Sequence, residues 1–185
     1  MRYVIVDLEA TCWPNTRNPD EQEIIEIGAV HLANGWGPDT DEFSQFVRPV
    51  FQPVLSDFCR DLTSIKQSDV DRADTFPTVF DAFLNWIGTE PFVLCSWGDY
   101  DVIQFRVDCD RHDIAFPEIF AGHINLKKEF SRVFGTRARG LKEALAHAGL
   151  HFEGRHHRGV DDARNIGRLA TLILPQLEQA GLIEL

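Results

Sequence analysis

Hydrophobic and polar positions alternate along this chain with two different periods. Three apolar runs come first, at Tyr3–Leu8, Ile24–Leu32 and Phe43–Val47, separated by polar, Pro- and Gly-bearing loops, and they read as strands. Asn34-Gly35 is a hairpin signal between the second and third, because both residues accept the positive φ of a tight turn. Ser56-Asp57 offers an N-cap to a short helix through Leu62, and a second short helix covers Lys66–Val70. The period then lengthens. Phe76, Val79, Phe80, Phe83, Leu84 and Ile87 form a 3.6-residue stripe with Pro77 in its first turn, which predicts a helix over Thr75–Ile87. Phe92–Trp97 is continuously apolar, as expected of a central strand covered on both faces. Helices follow at Asp101–Asp110, Leu126–Phe134, Leu141–Ala148 and Val160–Ala180, the last with a candidate break at Pro175, and a short fifth strand is expected near His123–Asn125. Three strands followed by alternating helix and strand predict an α/β domain, a mixed sheet with helices on both faces, spanning residues 1–185 as one unit.

Composition changes little in this picture: 185 residues, 44% apolar and 25% charged, suffice for one substantial core. Met1 leads straight into a strand and no apolar run approaches the roughly 20 residues of a membrane helix, so a cytoplasmic protein without a membrane partner is expected. Cys12, Cys59, Cys95 and Cys109 form no CxxC pair and lie in apolar or helical contexts, which favours buried free thiols over disulfides or zinc. The net charge of −11 argues against a protein that coats nucleic acid indiscriminately. The charge is unevenly spread, however, since Lys127–Arg168 holds ten basic and five acidic residues. A solvated helix face explains most of these cations, and a phosphate-backbone track explains several equally well.

The chemistry concentrates in five residues. Asp7 and Glu9 end the first strand and, being two apart, point to the same face. Two parallel acids at the end of an apolar run are costly unless a cation sits between them, and a divalent metal is the simplest candidate. Asp101 follows the fourth strand at a helix start, where Asp99 serves equally well as the cap and leaves Asp101 for another task. His157 lies on a loop before a helix starting near Gly159, and Asp162 falls on that helix's first turn. Singly, each of these is an ordinary helix-end acid or solvated histidine.

Together, Asp-x-Glu on the first strand, Asp after a later strand and His-x-x-x-x-Asp near the C-terminus resemble the DEDDh 3′→5′ exonucleases. The resemblance narrows to their Eri-type exoribonuclease branch through Asp7-Leu8-Glu9-Ala10-Thr11-Cys12, Glu23-Ile24-Ile25-Glu26-Ile27, Phe46-Val47-Arg48-Pro49 and Leu55-Ser56-Asp57-Phe58-Cys59. Val70-Asp71-Arg72-Ala73-Asp74-Thr75-Phe76-Pro77 and Gly154-Arg155-His156-His157-Arg158-Gly159-Val160-Asp161-Asp162 extend it over most of the chain.

The resemblance implies an RNase H-like fold with a central five-stranded mixed sheet flanked by helices, and two Mg²⁺ or Mn²⁺ ions held by four acids. Asp7 would bridge the ions, Glu9 and Asp162 would help hold the one that activates water, and Asp101 would support the other. His157 would be the general base; His156 and Asp161 are the neighbouring competitors, and the spacing favours His157 and Asp162. The loop around Leu8, Ala10 and Thr11 would approach the terminal ribose. Phe58, Trp97 and Tyr100 would wall or stack on the terminal base, with Trp13 a further stacking candidate and a packed core residue the alternative for Phe58.

Ser64 stands where many relatives are expected to have glycine, at a cost of about 1 kcal/mol if φ is positive there. No N-terminal nucleic-acid-binding extension is seen, so a protein partner for substrate choice is expected. The expected substrate is RNA, and DNA as the lesser alternative, with a free single-stranded or overhanging 3′ end. A catalytically silent nucleic-acid-binding domain is disfavoured because all five positions are intact, and a zinc hydrolase because the required His and Cys spacings are missing.

Overall fold

Alternation along β1 (Arg2–Ala10) supplies both faces of the sheet at once in the computed structural model, which describes residues 2–15, 18–32, 38–137 and 139–183. Val4, Val6 and Leu8 point into one apolar cluster, and Tyr3 and Ile5 into another on the opposite face. β2 (Ile24–Leu32) pairs antiparallel with β1, and β3 (Pro38–Phe46) antiparallel with β2. β4 (Phe92–Ser96) and the two-residue β5 (Ile124–Asn125) add in parallel on the other side, giving the order β3-β2-β1-β4-β5.

Short helices α1 (Asp57–Thr63) and α2 (Gln67–Asp71) lead to α3 (Phe76–Ile87) and α4 (Tyr100–Arg111). The phenylalanine-rich stripe of α3 and Phe105 of α4 pack on the Val4–Val6–Leu8 face. α5 (Leu126–Val133), α6 (Leu141–His147) and α7 (Gly159–Gln179) cover the Tyr3–Ile5 face through Phe130, Leu145, Ile166 and Leu169. A third, smaller cluster holds Cys12, Ile25, Leu55, Cys59 and Ile65, beside the exit of β1. All four cysteines are buried with free thiols.

Several boundaries differ from the sequence reading. β1 continues through Glu9 and Ala10 because its ladder with β2 runs on to Glu9↔Glu26, so Leu8–Ala10 are strand rather than loop. β3 starts at Pro38 instead of Phe43: its outer residues are polar, but its ladder to β2 reaches Leu32. β4 is interior, and the centre of the sheet is β1. α7 passes through Pro175 without a break, with Ile173, Leu174 and Leu177 buried around the proline. Asp99 occupies the cap position of α4 but makes no side-chain capping bond. Ser64 takes the left-handed conformation at φ 63°, ending α1. The Asn34-Gly35 turn lies outside the described residues. No described helix is long and apolar enough to cross a membrane.

Candidate active site

β1 and β4 run parallel while the chain leaves them towards opposite sheet edges, so a crevice opens beyond their carboxyl ends. Asp7 and Glu9 continue the Tyr3–Ile5 face of β1 into that crevice. The face is covered by α7, whose first turn carries Asp162. The approach is very close: a Cβ on Gly28, the β2 partner of Asp7, would lie 1.9 Å from the carbonyl carbon of Gly159, and one on Gly159 would lie 2.9 Å from the Asp7 carbonyl oxygen. Only glycine permits this contact of helix and sheet backbones. Asp101, on the first turn of α4, reaches β1 from the other side and accepts the Leu8 N–H at 3.0 Å through Oδ1.

These elements enclose a cleft of about 330 Å³. Asp7, Glu9, Asp101, Asp162, His156 and His157 line it, with Leu8, Trp97, Tyr100, Gly140 and Leu141 completing the walls. Carboxylate oxygens of Asp7, Glu9 and Asp162 lie within 4.8 Å of one another. Burial, and then the surrounding carboxylates, push Asp7 and Glu9 well above the ordinary carboxylate range. Burial raises Asp101 and Asp162 to about 6, against hydrogen bonds that pull the other way. An all-oxygen set of converging acids, penalised for its own charge, fits a hard divalent cation, and Asp101 stands beside the three-acid cluster rather than within it.

Both histidines enter the cleft, their ring centroids 3.9 Å apart. His156 Nε2 is 3.6 Å from Asp162 Oδ1. Burial, followed by the charge of Lys142, holds His157 below its usual imidazole value; burial, His157 and Lys142 bring His156 down to about 4. His157 has φ 61°, a left-handed conformation that a non-glycine residue adopts at a cost, and its loop is fixed from the next residue. There Arg158 makes a forked pair to Glu26 at 3.1 and 2.9 Å, and Glu26 also accepts the Gly159 N–H at 3.0 Å.

The remaining candidates divide. Leu8, Trp97 and Tyr100 line the cleft, and the Tyr100 hydroxyl donates to Gln22. Ala10 and Thr11 are buried outside it, Thr11 accepting the Glu23 N–H on its hydroxyl and the Gln22 side chain on its carbonyl. Phe58 is 40% exposed on α1, which is tied to the exit of β1 by Ser56 Oγ donating to the Cys12 carbonyl. Its ring is therefore not packed in the core. Trp13 lines a different cleft, with Glu23, Phe51 and Arg111. Sequence reasoning assigned no role to Glu26, Gly28 and Gly159. A carboxylate and a glycine inside the buried apolar run of β2 were the available signals.

A mixed five-stranded sheet with acids converging at its β1–β4 switch point defines an RNase H-like nuclease fold. The exonuclease family model RNase_T matches residues 4–170, and the chain belongs to that family. It is 36% identical over 181 residues to human 3′-5′ exoribonuclease 1, covering 92% of this chain and 51% of that protein. It is 32% identical to human ERI1 exoribonuclease 2, covering 90% of this chain but only 27% of that one. Among solved structures, the nuclease domain of 3′hExo, a DEDDh family member bound to rAMP, superposes with a TM-score of 0.88 at 33% identity. That match covers 95% of this chain and 92% of the other.

Proposed function

We propose that this chain is a metal-dependent 3′→5′ exonuclease that prefers RNA and removes nucleotides from single-stranded or overhanging 3′ ends. The observation that carries the reading is the convergence of Asp7, Glu9 and Asp162 in one cleft with Asp101 and His157. The exoribonuclease relatives, and the relative solved with a histone mRNA stem-loop, support RNA as the substrate. Asp7, Glu9 and Asp162 would hold one Mg²⁺ or Mn²⁺ ion, and Asp101 with Asp7 a second. When bound, such ions supply Lewis-acid stabilisation of the charge that develops on the phosphoryl oxygens.

The protein's own groups do the rest. His157 accepts the proton of the attacking water on an imidazole nitrogen, and burial and Lys142 keep that imidazole neutral near pH 7. His156 stands beside Asp162, its Nε2 3.6 Å from Oδ1. Trp97 and Tyr100 supply aromatic walls for the terminal nucleoside, and the exposed ring of Phe58 is available to stack on its base. Residues 1–185 form one exonuclease domain, and its four buried thiols suit a reducing cytoplasm.

Digestion of 5′-labelled single-stranded RNA and DNA of one sequence tests the reading, with Mg²⁺, Mn²⁺ or EDTA and an Asp7→Ala control. The expected result is a metal-dependent ladder shrinking from the 3′ end, faster on RNA and reduced at least ~10³-fold in the control. No product from either strand overturns the proposal.

A further inference from the structure

The structure sorts the ten basic residues between Lys127 and Arg168. Four are neutralised internally: Arg132 by Glu129 at 3.1 Å, Arg158 by Glu26 at 2.9 Å, Arg164 by Glu42 at 2.6 Å and Arg168 by Glu153 at 2.9 Å. The other six, Lys127, Lys128, Arg137, Arg139, Lys142 and Arg155, form no ion pair among the described residues. In a chain with a net charge of −11, acids are plentiful, so cations left without them invite an external anion.

Two of the six, Arg139 and Lys142, flank the cleft-lining residues Gly140 and Leu141 along the chain. The Arg139 carbonyl accepts the indole N–H of the cleft residue Trp97 at 3.1 Å, which pins this arginine's backbone to the wall. Its guanidinium has one neutral partner, Thr136 Oγ1, which accepts from Nη2 at 3.2 Å, while its Nε is buried with no acceptor. The next two residues, Gly140 and Leu141, line the cleft directly, and Lys142 follows on the first turn of α6. Lys142 is exposed, has the Phe152 ring 5.4 Å from its Nζ, and projects its charge onto His156, His157 and Asp162.

We propose that Arg139 and Lys142 bind the phosphodiester backbone of the RNA strand where it emerges from the cleft. The inference rests on the exonuclease reading of that cleft. In a strand ending in a 3′-hydroxyl, the scissile phosphate is the last one, so every other phosphate lies on its 5′ side and must pass the rim. The four acids of the cleft repel those phosphates, and a rim cation on each side of Gly140–Leu141 offsets that repulsion. Lys128 lines a separate cleft with His123 and Leu177 and serves as the control.

The test is binding of 5′-fluorescein-labelled octauridylate, with a phosphorothioate in its last linkage to slow cleavage, followed by anisotropy in Mg²⁺ across a salt series. Arg139→Gln and Lys142→Gln should each make the slope of log K against log salt shallower by about 0.7 and weaken binding about fivefold at ~0.1 M salt. Lys142→Arg should restore the slope, and Lys128→Gln should leave it as in the wild type. A slope unchanged in both glutamine variants, with wild-type protein that binds and trims RNA, overturns the rim alone. Wild-type protein that neither binds nor trims RNA overturns the exonuclease reading and the rim with it.

Discussion

Asp7 is surrounded by Asp101, Glu9, Asp162 and Glu26, and burial together with their charge makes its ionised form unfavourable. An acid whose folded pKa lies above its unfolded value lowers stability above the folded pKa, and that loss is recovered as the pH falls through it. Asp101 and Asp162, raised to about 6, show the same sign. Asp7→Asn in EDTA should therefore raise the Tm at pH 8 by about 2–4 °C, corresponding to ~1 kcal/mol, and the gap should close as the pH falls through the raised folded-state pKa of Asp7 towards the ordinary carboxylate range. With Mg²⁺ or Mn²⁺ present the order should invert, because only the wild type gains binding energy from the metal. Scanning calorimetry of both proteins checks this, and equal Tm values in EDTA at pH 8 would mean the acids do not strain the metal-free fold. The two histidines separate by a different experiment. His157→Ala should lower kcat about 10²- to 10⁴-fold at any metal concentration. His156→Ala, which removes the neighbour of Asp162, should chiefly raise the metal concentration needed. Metal titrations of kcat tell them apart, and the reverse pattern would make His156 the base.

At the scale of elements, the site depends on how α7 meets the sheet. Gly28→Ala would place a methyl group 1.9 Å from the backbone of Gly159, and backbone cannot swing aside like a flexible side chain. A loss of about 3 kcal/mol in urea unfolding is expected, with loss of activity as Asp162 is pushed from Asp7. Ser64→Gly should act in the opposite direction and stabilise by up to about 1 kcal/mol, since glycine takes the left-handed φ of 63° that ends α1 without strain. How far the elements were legible follows from the range of the forces that set them. Asp7 and Glu9 could be placed on one face from alternation alone, because a two-residue period holds whatever packs there. The stripe of α3 was equally local. β3 was misjudged because its start is defined by hydrogen bonds to β2 and not by its own polar side chains. Glu26 announced a need for a partner by lying in a buried strand, but Arg158 is 132 residues away, and nothing local singles it out from the other cations.

For the molecule as a whole, net charge and local charge make opposite demands on RNA. A total of −11 repels a polyanion at long range, and four of the ten cations in the basic stretch are already spent on internal carboxylates. That stretch suggested a phosphate track in the sequence, and only the ion pairs of the folded chain show how few cations remain to make one. Two rim contacts correspond to a log–log salt slope of about −1.4, while engagement of all six unpaired cations would give about −4. Between about 50 and 200 mM salt, kcat/KM on a short single-stranded RNA should therefore fall by no more than about sevenfold. Screening of the long-range repulsion works against even that decline. A fall beyond about a hundredfold would mean that the strand runs along the full set of free cations, and the acidic remainder of the surface would then be irrelevant to how RNA approaches.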